Sequence, residues 1–244
     1  MRGVHDMSQG LAYFKEVYDV VPGWVQKMHD YNNNALEHYT SLRSEIMKEG
    51  ALTRKEKDLL LVGMNAARFY ERSMVYHTKG AIDGGATLPE LVEYLIVPYL
   101  YNGAKALKTG VKSLEYALTL KGIEFQALSE SEKTTEELLL QMCELLGEEN
   151  TSFVTKVITL VRSGEEELLK ELLLSDSTVS KTMKHILMVG IFITELKGKH
   201  AGEWMIAARA NGASEGQLAD VGFICLLTAG IPAWFEASDS LLEF

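Results

Sequence analysis

The chain has 244 residues, 47% of them hydrophobic, and a formal net charge of −10. That length and apolar content suffice for one large or two small cores. The negative charge argues against the phosphate backbone of a nucleic acid, and against a membrane surface, as a partner.

The apolar runs are interrupted and no longer than an ordinary helix, so no transmembrane span is expected. The opening stretch MRGVHDMSQG has no apolar core of a secretion signal, which points to a cytoplasmic protein. Only four prolines occur, and no sustained period-two alternation appears. The expected fold class is all-α. Cys143 and Cys225 stand far apart in the sequence and fit no metal-ligand spacing, so both are expected to be reduced and structural.

In chain order, a lead helix is expected over 23–48. Thr53, followed three residues later by Glu56, opens a helix over 53–69 with a capping box. A second helix runs from about 70 to 83 and stops at a glycine pair, where Gly85 takes a left-handed cap. Thr87 caps a third helix with Pro89 in its first turn, and a fourth begins near Gly103. The polar stretch KGIEFQALSESEKTT, residues 121–135, reads as a linker and precedes a helix over 136–146. A second lead helix is expected over 151–174, ending in the solvated run EEELLKELLL. Helices over 177–195, 197–210, 214–228 and 231–242 follow, with Gly212 as a cap and Ser214 in the place of Thr87.

The parallel is in the letters as well. LLLVGMNAAR at 59–68 aligns with ILMVGIFITE at 186–195, and GAIDGGATLPEL at 80–91 with AARANGASEGQL at 207–218, both at a spacing of 127 residues. The chain therefore reads as a duplication: residues 1–120 as a first repeat with lead helices, 121–135 as the linker, and 136–244 as a second, more degenerate repeat.

A capped helix, a helix ending in His-x7-Gly-Ala-Thr and a helix at Pro-Glu-Leu resemble the carboxymuconolactone decarboxylase family, which includes the alkylhydroperoxidase D-like proteins. The likeness is best over 51–114 and recurs more weakly over 178–241. It implies two tandem helical repeats forming a pseudo-dimer, and threefold assembly into a homotrimer. In the redox branch of the family, a carboxylate on the first helix serves a Cys-x-x-Cys-x-x-x-His set on the second. Those positions fall here on Asp58, Tyr70, Ser73 and His77, so both thiols are missing. The decarboxylase branch has Glu where Ser73 stands. The second-repeat equivalents are His185, Lys197, His200 and Trp204.

Tyr70, Ser73 and His77 are spaced i, i+3, i+7 and are expected on one helix face. Asp58 is placed to hold the imidazole in one tautomer and raise its basicity. Such a set suits proton transfer on a small organic acid or lactone, with Tyr70 or Ser73 orienting an oxygen. The other reading is a core or interface histidine satisfied by Asp58. In the second repeat, Lys197 suggests a cationic pocket for a carboxylate. His185 and His200 lie on different expected helices, so no metal and no cofactor is expected, and a degenerate copy kept for packing is the plainer reading. Tyr94, Tyr99 and Tyr101 are expected to line a pocket or a subunit contact.

Three functions follow from these residues: a decarboxylase-like enzyme working by acid–base chemistry, a non-catalytic small-molecule-binding or scaffold protein, and a thiol antioxidant. The missing cysteine pair argues against the third.

Overall fold

The computed structural model describes residues 8–127, 132–147 and 151–242. Part of the expected linker, residues 128–131, lies outside them. Among the described residues there are fourteen α-helices and no strand, so the fold is all-α. None of these helices is long and apolar enough to cross a membrane. The chain divides into two compact units, Met1–Lys48 and Glu49–Phe244.

The first unit holds α1 (Gln9–Tyr18), α2 (Gly23–Tyr31) and α3 (Asn33–Ile46). The single lead helix expected over 23–48 is thus two. Asn32 has an extended backbone, and its Oδ1 accepts from the Ala35 amide at 3.0 Å, which starts a new helix inside the asparagine cluster. Helix α1 had no clear sequence signal. Ser8 caps it, and it buries Phe14 in the unit's core with Val25 and Leu36. The buried Arg43 guanidinium donates to the hydroxyls of Tyr13 and Tyr18, at 2.6 and 2.7 Å.

The second unit begins with α4 (Arg54–Ala67), α5 (Glu71–Asp83), α6 (Leu88–Ile96) and α7 (Tyr99–Leu120). Helices α8 (Thr135–Leu146), α9 (Ser152–Ser163) and α10 (Glu166–Leu174) lead to α11 (Lys181–Thr194), α12 (Gly198–Ala210), α13 (Glu215–Ala229) and α14 (Ile231–Ser238). The expected helix over 151–174 is broken at Gly164, which is left-handed at φ 71°. Helix α7 is interrupted at Asn102 and Gly103, the point where the fourth helix was expected to begin.

Helix α11 starts at Lys181 rather than 177 because the preceding residues are otherwise engaged. The Ser177 hydroxyl and the Thr178 and Val179 amides all donate to the Glu93 carboxylate, at 2.5, 3.1 and 3.0 Å. Helix α14 ends at Ser238, short of the expected 242.

The spacing of 127 residues recurs in the backbone. It separates both ends of α4 from those of α11, and both ends of α5 from those of α12. It also separates two left-handed non-glycine residues, Phe69 and Leu196 at φ 59° and 55°, and two left-handed glycines, Gly85 and Gly212 at φ 86° and 94°.

Helices α4 and α11 pack on each other through glycines at that same spacing. A Cβ on Gly63 would meet Leu187 at 2.8 Å, and one on Gly190 would meet Met64 Sδ at 2.5 Å. Two ion pairs cross between the halves in opposite senses: Lys57 with Asp220 at 3.3 Å, and Lys184 with Glu93 at 2.9 Å.

Candidate functional site

The candidate residues Asp58, Tyr70, Ser73 and His77 lie in the hairpin of α4 and α5. Thr53 and Glu56 form the expected capping box, with the Thr53 amide donating to Glu56 Oε2 at 2.7 Å and the Glu56 amide to Thr53 Oγ1 at 3.2 Å. The corner between the helices is tight. Phe69 is left-handed, and the Tyr70 amide donates to the Asn65 carbonyl at 2.9 Å. That reversal lays α5 against α4 so that residues early in one face residues late in the other.

Two polar rungs join the helices. In the first, His77 Nδ1 lies 2.8 Å from Asp58 Oδ1. Both side chains are buried, at 8% and 1% exposure. Asp58 Oδ2 accepts from Arg54 Nε at 2.8 Å, one turn earlier on α4. Burial opposes ionisation of Asp58, but the hydrogen bond and charge of His77 and the Arg54 guanidinium outweigh it and hold the carboxyl below its usual range. An ionised carboxylate only accepts, so the proton of the neutral imidazole is on Nδ1 and the lone pair is on Nε2.

The second rung joins Asn65 and Ser73. Asn65 Nδ2 donates to Ser73 Oγ at 3.3 Å, and Asn65 Oδ1 accepts from Thr228 Oγ1 at 3.3 Å. Asn65 is fully buried. Sequence reasoning named neither Asn65 nor Arg54. An i, i+4 Arg–Asp spacing was available as a signal for Arg54. Asn65, amid apolar residues two turns beyond Asp58 on the same face, was the signal for the other.

Tyr70 does not share the helix face expected of it. It stands at the N-cap of α5, 47% exposed, because the left-handed Phe69 turns the chain there. No described hydrogen bond joins its phenol to Ser73 or His77.

In the second half, both rungs are replaced by ring contacts. His185 and Trp204, the counterparts of Asp58 and His77, have ring centroids 5.7 Å apart. Phe192 and His200, the counterparts of Asn65 and Ser73, are at 5.5 Å. His185 Nδ1 turns to the Lys181 carbonyl at 2.7 Å, and His200 Nδ1 to Glu203 at 3.1 Å. Among the described residues, no group of three His, Cys, Asp or Glu side chains is placed to hold a metal ion.

Lys197 donates to the Tyr101 hydroxyl at 2.7 Å, and Tyr101 donates to Glu195 at 3.3 Å. Glu195 also pairs with Arg68 at 3.1 Å. Tyr101 therefore joins the two halves of this unit, while Tyr94 is buried.

Two clefts open elsewhere. One is lined by Ile82, Gly85, Ala86, Pro89 and Lys121, the other by Leu118, Ile123, Phe125, Gln141 and Leu145. Neither is lined by Asp58, Ser73 or His77.

No curated protein matches the sequence. Residues 33–116 match the model of the carboxymuconolactone decarboxylase family, a stretch that includes Asp58, Asn65, Tyr70, Ser73 and His77 and ends before α8. Over residues 33–116 the chain is similar to the carboxymuconolactone decarboxylase family.

Proposed function

We propose that this protein is a decarboxylase-like enzyme acting by acid–base chemistry on a small organic acid or lactone. The observation that carries this reading is the buried Asp58–His77 pair at 2.8 Å. It leaves the imidazole lone pair on Nε2 and a carboxylate ready to stabilise the imidazolium. His77 takes a proton from the substrate through Nε2. When the bond to the departing carboxylate breaks, its electron pair passes into the conjugated carbonyl, and the imidazolium returns the proton to carbon. The Ser73 hydroxyl orients the substrate oxygen, with Tyr70 at the rim. The halves are proposed to form an internal pseudo-dimer in a cytoplasmic protein, with the first half carrying the chemistry.

The test is turnover of carboxymuconolactone, followed by loss of lactone absorbance and release of carbon dioxide. His77→Ala and Asp58→Asn are expected to lower kcat on the order of a hundredfold or more. His200→Ala should leave it within about twofold, since this exposed residue lies outside the Asp58–His77 pair and pairs with Glu203 instead. Equal turnover by wild type and His77→Ala would end the proposal.

The second reading is a non-catalytic small-molecule binder. The position of both clefts away from His77 favours it. Binding without turnover, unchanged in His77→Ala, is the result that would select it.

A further inference from the structure

Ser73 is linked through Asn65 to a residue 155 positions further along the chain. Thr228 is on the last turn of α13, in the second half, and its hydroxyl donates to Asn65 Oδ1 at 3.3 Å. The other end of the same amide donates to Ser73 Oγ at 3.3 Å. An amide in a fully buried side chain with both ends bonded has its plane fixed, so displacement at one end is felt at the other. Thr228 is itself tethered. Arg68 donates from a terminal guanidinium nitrogen to the Thr228 carbonyl at 3.4 Å, and its Nε is 3.1 Å from Glu195 Oε1.

We propose that Asn65 and Thr228 are positioning residues for Ser73, and that the second half of the chain thereby takes part in the first half's site. Ser73 Oγ accepts from Asn65, so its hydroxyl proton is directed away from the amide and serves as the donor to a substrate oxygen. The relation runs one way. The counterparts of Asn65 and Ser73, Phe192 and His200, meet through their rings, and Phe192 has no side-chain amide to carry such a hydrogen-bonded link. On this account the second half is kept for more than packing: without α13, Asn65 Oδ1 loses its Thr228 donor and the side-chain amide is held at one end only. The use of the Ser73 hydroxyl rests on the acid–base reading above, whereas its positioning does not.

The test uses Thr228→Val, which keeps the side-chain shape and removes the donor, beside Thr228→Ser, which keeps the donor. Without any substrate, crystal structures and the side-chain amide resonances of Asn65 are compared with wild type. The expected result is loss of the Asn65–Ser73 hydrogen bond in Thr228→Val and its recovery in Thr228→Ser. An intact bond in Thr228→Val, or no recovery in Thr228→Ser, overturns the proposal. If Thr228→Val does not fold, Thr228→Ala takes its place in the same comparison.

With carboxymuconolactone as the probe, Thr228→Val and Ser73→Ala should each raise KM about tenfold, the double variant no further, with the pH limb set by His77 unmoved. Additive losses, or a shifted pH limb, would show that Thr228 acts by another route. A wild type that does not turn over this lactone removes the acid–base reading, and the amide resonances and crystal structures still decide the positioning.

Discussion

The Asp58 carboxylate occupies the space that a Cβ on Gly80 would need, with Oδ2 only 2.5 Å from that position. Helix α5 approaches α4 there because it carries no side chain at 80, and this closeness brings His77 onto Asp58. Alanine at an open helix position gains up to about 1 kcal/mol over glycine. Gly80→Ala is instead expected to cost about 1–3 kcal/mol in urea denaturation, through overpacking against a buried carboxylate. It should also reduce any turnover that depends on His77. A neutral or stabilising Gly80→Ala would show that Asp58 moves aside freely.

Acid should dismantle the same pair. The ordinary pKa of Asp58 is 3.8, and its interactions with His77 and Arg54, against burial, hold the folded value below that. A carboxylate depressed on folding contributes stability that is fully present above the unfolded pKa and lost as pH falls through the folded one. The stability difference between wild type and Asp58→Asn should therefore shrink as pH falls below about 4. Urea titrations at several pH values read this directly, and a difference that does not shrink contradicts it.

The two ion pairs between the halves are predicted to be unequal. Lys184 and Glu93 have side chains 1% and 2% exposed, whereas Lys57 and Asp220 are at 3% and 19%. Glu93→Gln leaves a buried ammonium without its charge partner and is expected to cost about 3–5 kcal/mol. Asp220→Asn, beside water, should cost clearly less. The opposite ranking in chemical denaturation would mean that the Glu93 side is the more adaptable one.

Thiol chemistry by the family's redox route is expected to be at background. Cys225 is fully buried, with Sγ against Met64 Sδ at 3.5 Å, and burial pushes its thiol well above the usual range. Cys143 is partly exposed, and burial raises its pKa too. A disulfide reagent should label Cys143 ahead of Cys225 in the native protein and both in denaturant. Peroxide turnover with a dithiol donor that disappears in Cys143→Ser or Cys225→Ser would overturn this.

The assembly we propose is a homotrimer, three times the 27.2 kDa chain. Helix α13 is apolar around most of its circumference, yet Phe223 is 39% exposed, and Ile231 and Phe235 on α14 are 54% and 58% exposed. Light scattering should give the trimer mass, and Phe235→Glu should shift it toward smaller species. A stable wild-type monomer rules the trimer out.

Local chemistry was readable from the sequence alone. Thr53 with Glu56 and Thr87 with Glu90 are capping boxes whose partners sit three residues apart. Gly85 and Gly212 are left-handed where glycine was expected to close a helix, and the all-α class followed from helical periodicity without strand alternation. These depend on residues within one or two turns, so the order of letters determines them. Asp58 and His77 could be named from the family pattern, but that they meet depends on Gly80 and the left-handed Phe69. The breaks at Asn32 and Gly164 escaped a reading that treated each stretch as one amphipathic run. The late start of α11 was decided by Glu93, 84 residues before Ser177, drawing on hydrogen-bond donors that a helix would otherwise have used. Asn65 was invisible as a site residue for the same reason. Its amide is bonded at one end across a helix hairpin and at the other to Thr228, 163 residues away. No sequence window holds both partners, and only tertiary packing brings them within 3.3 Å.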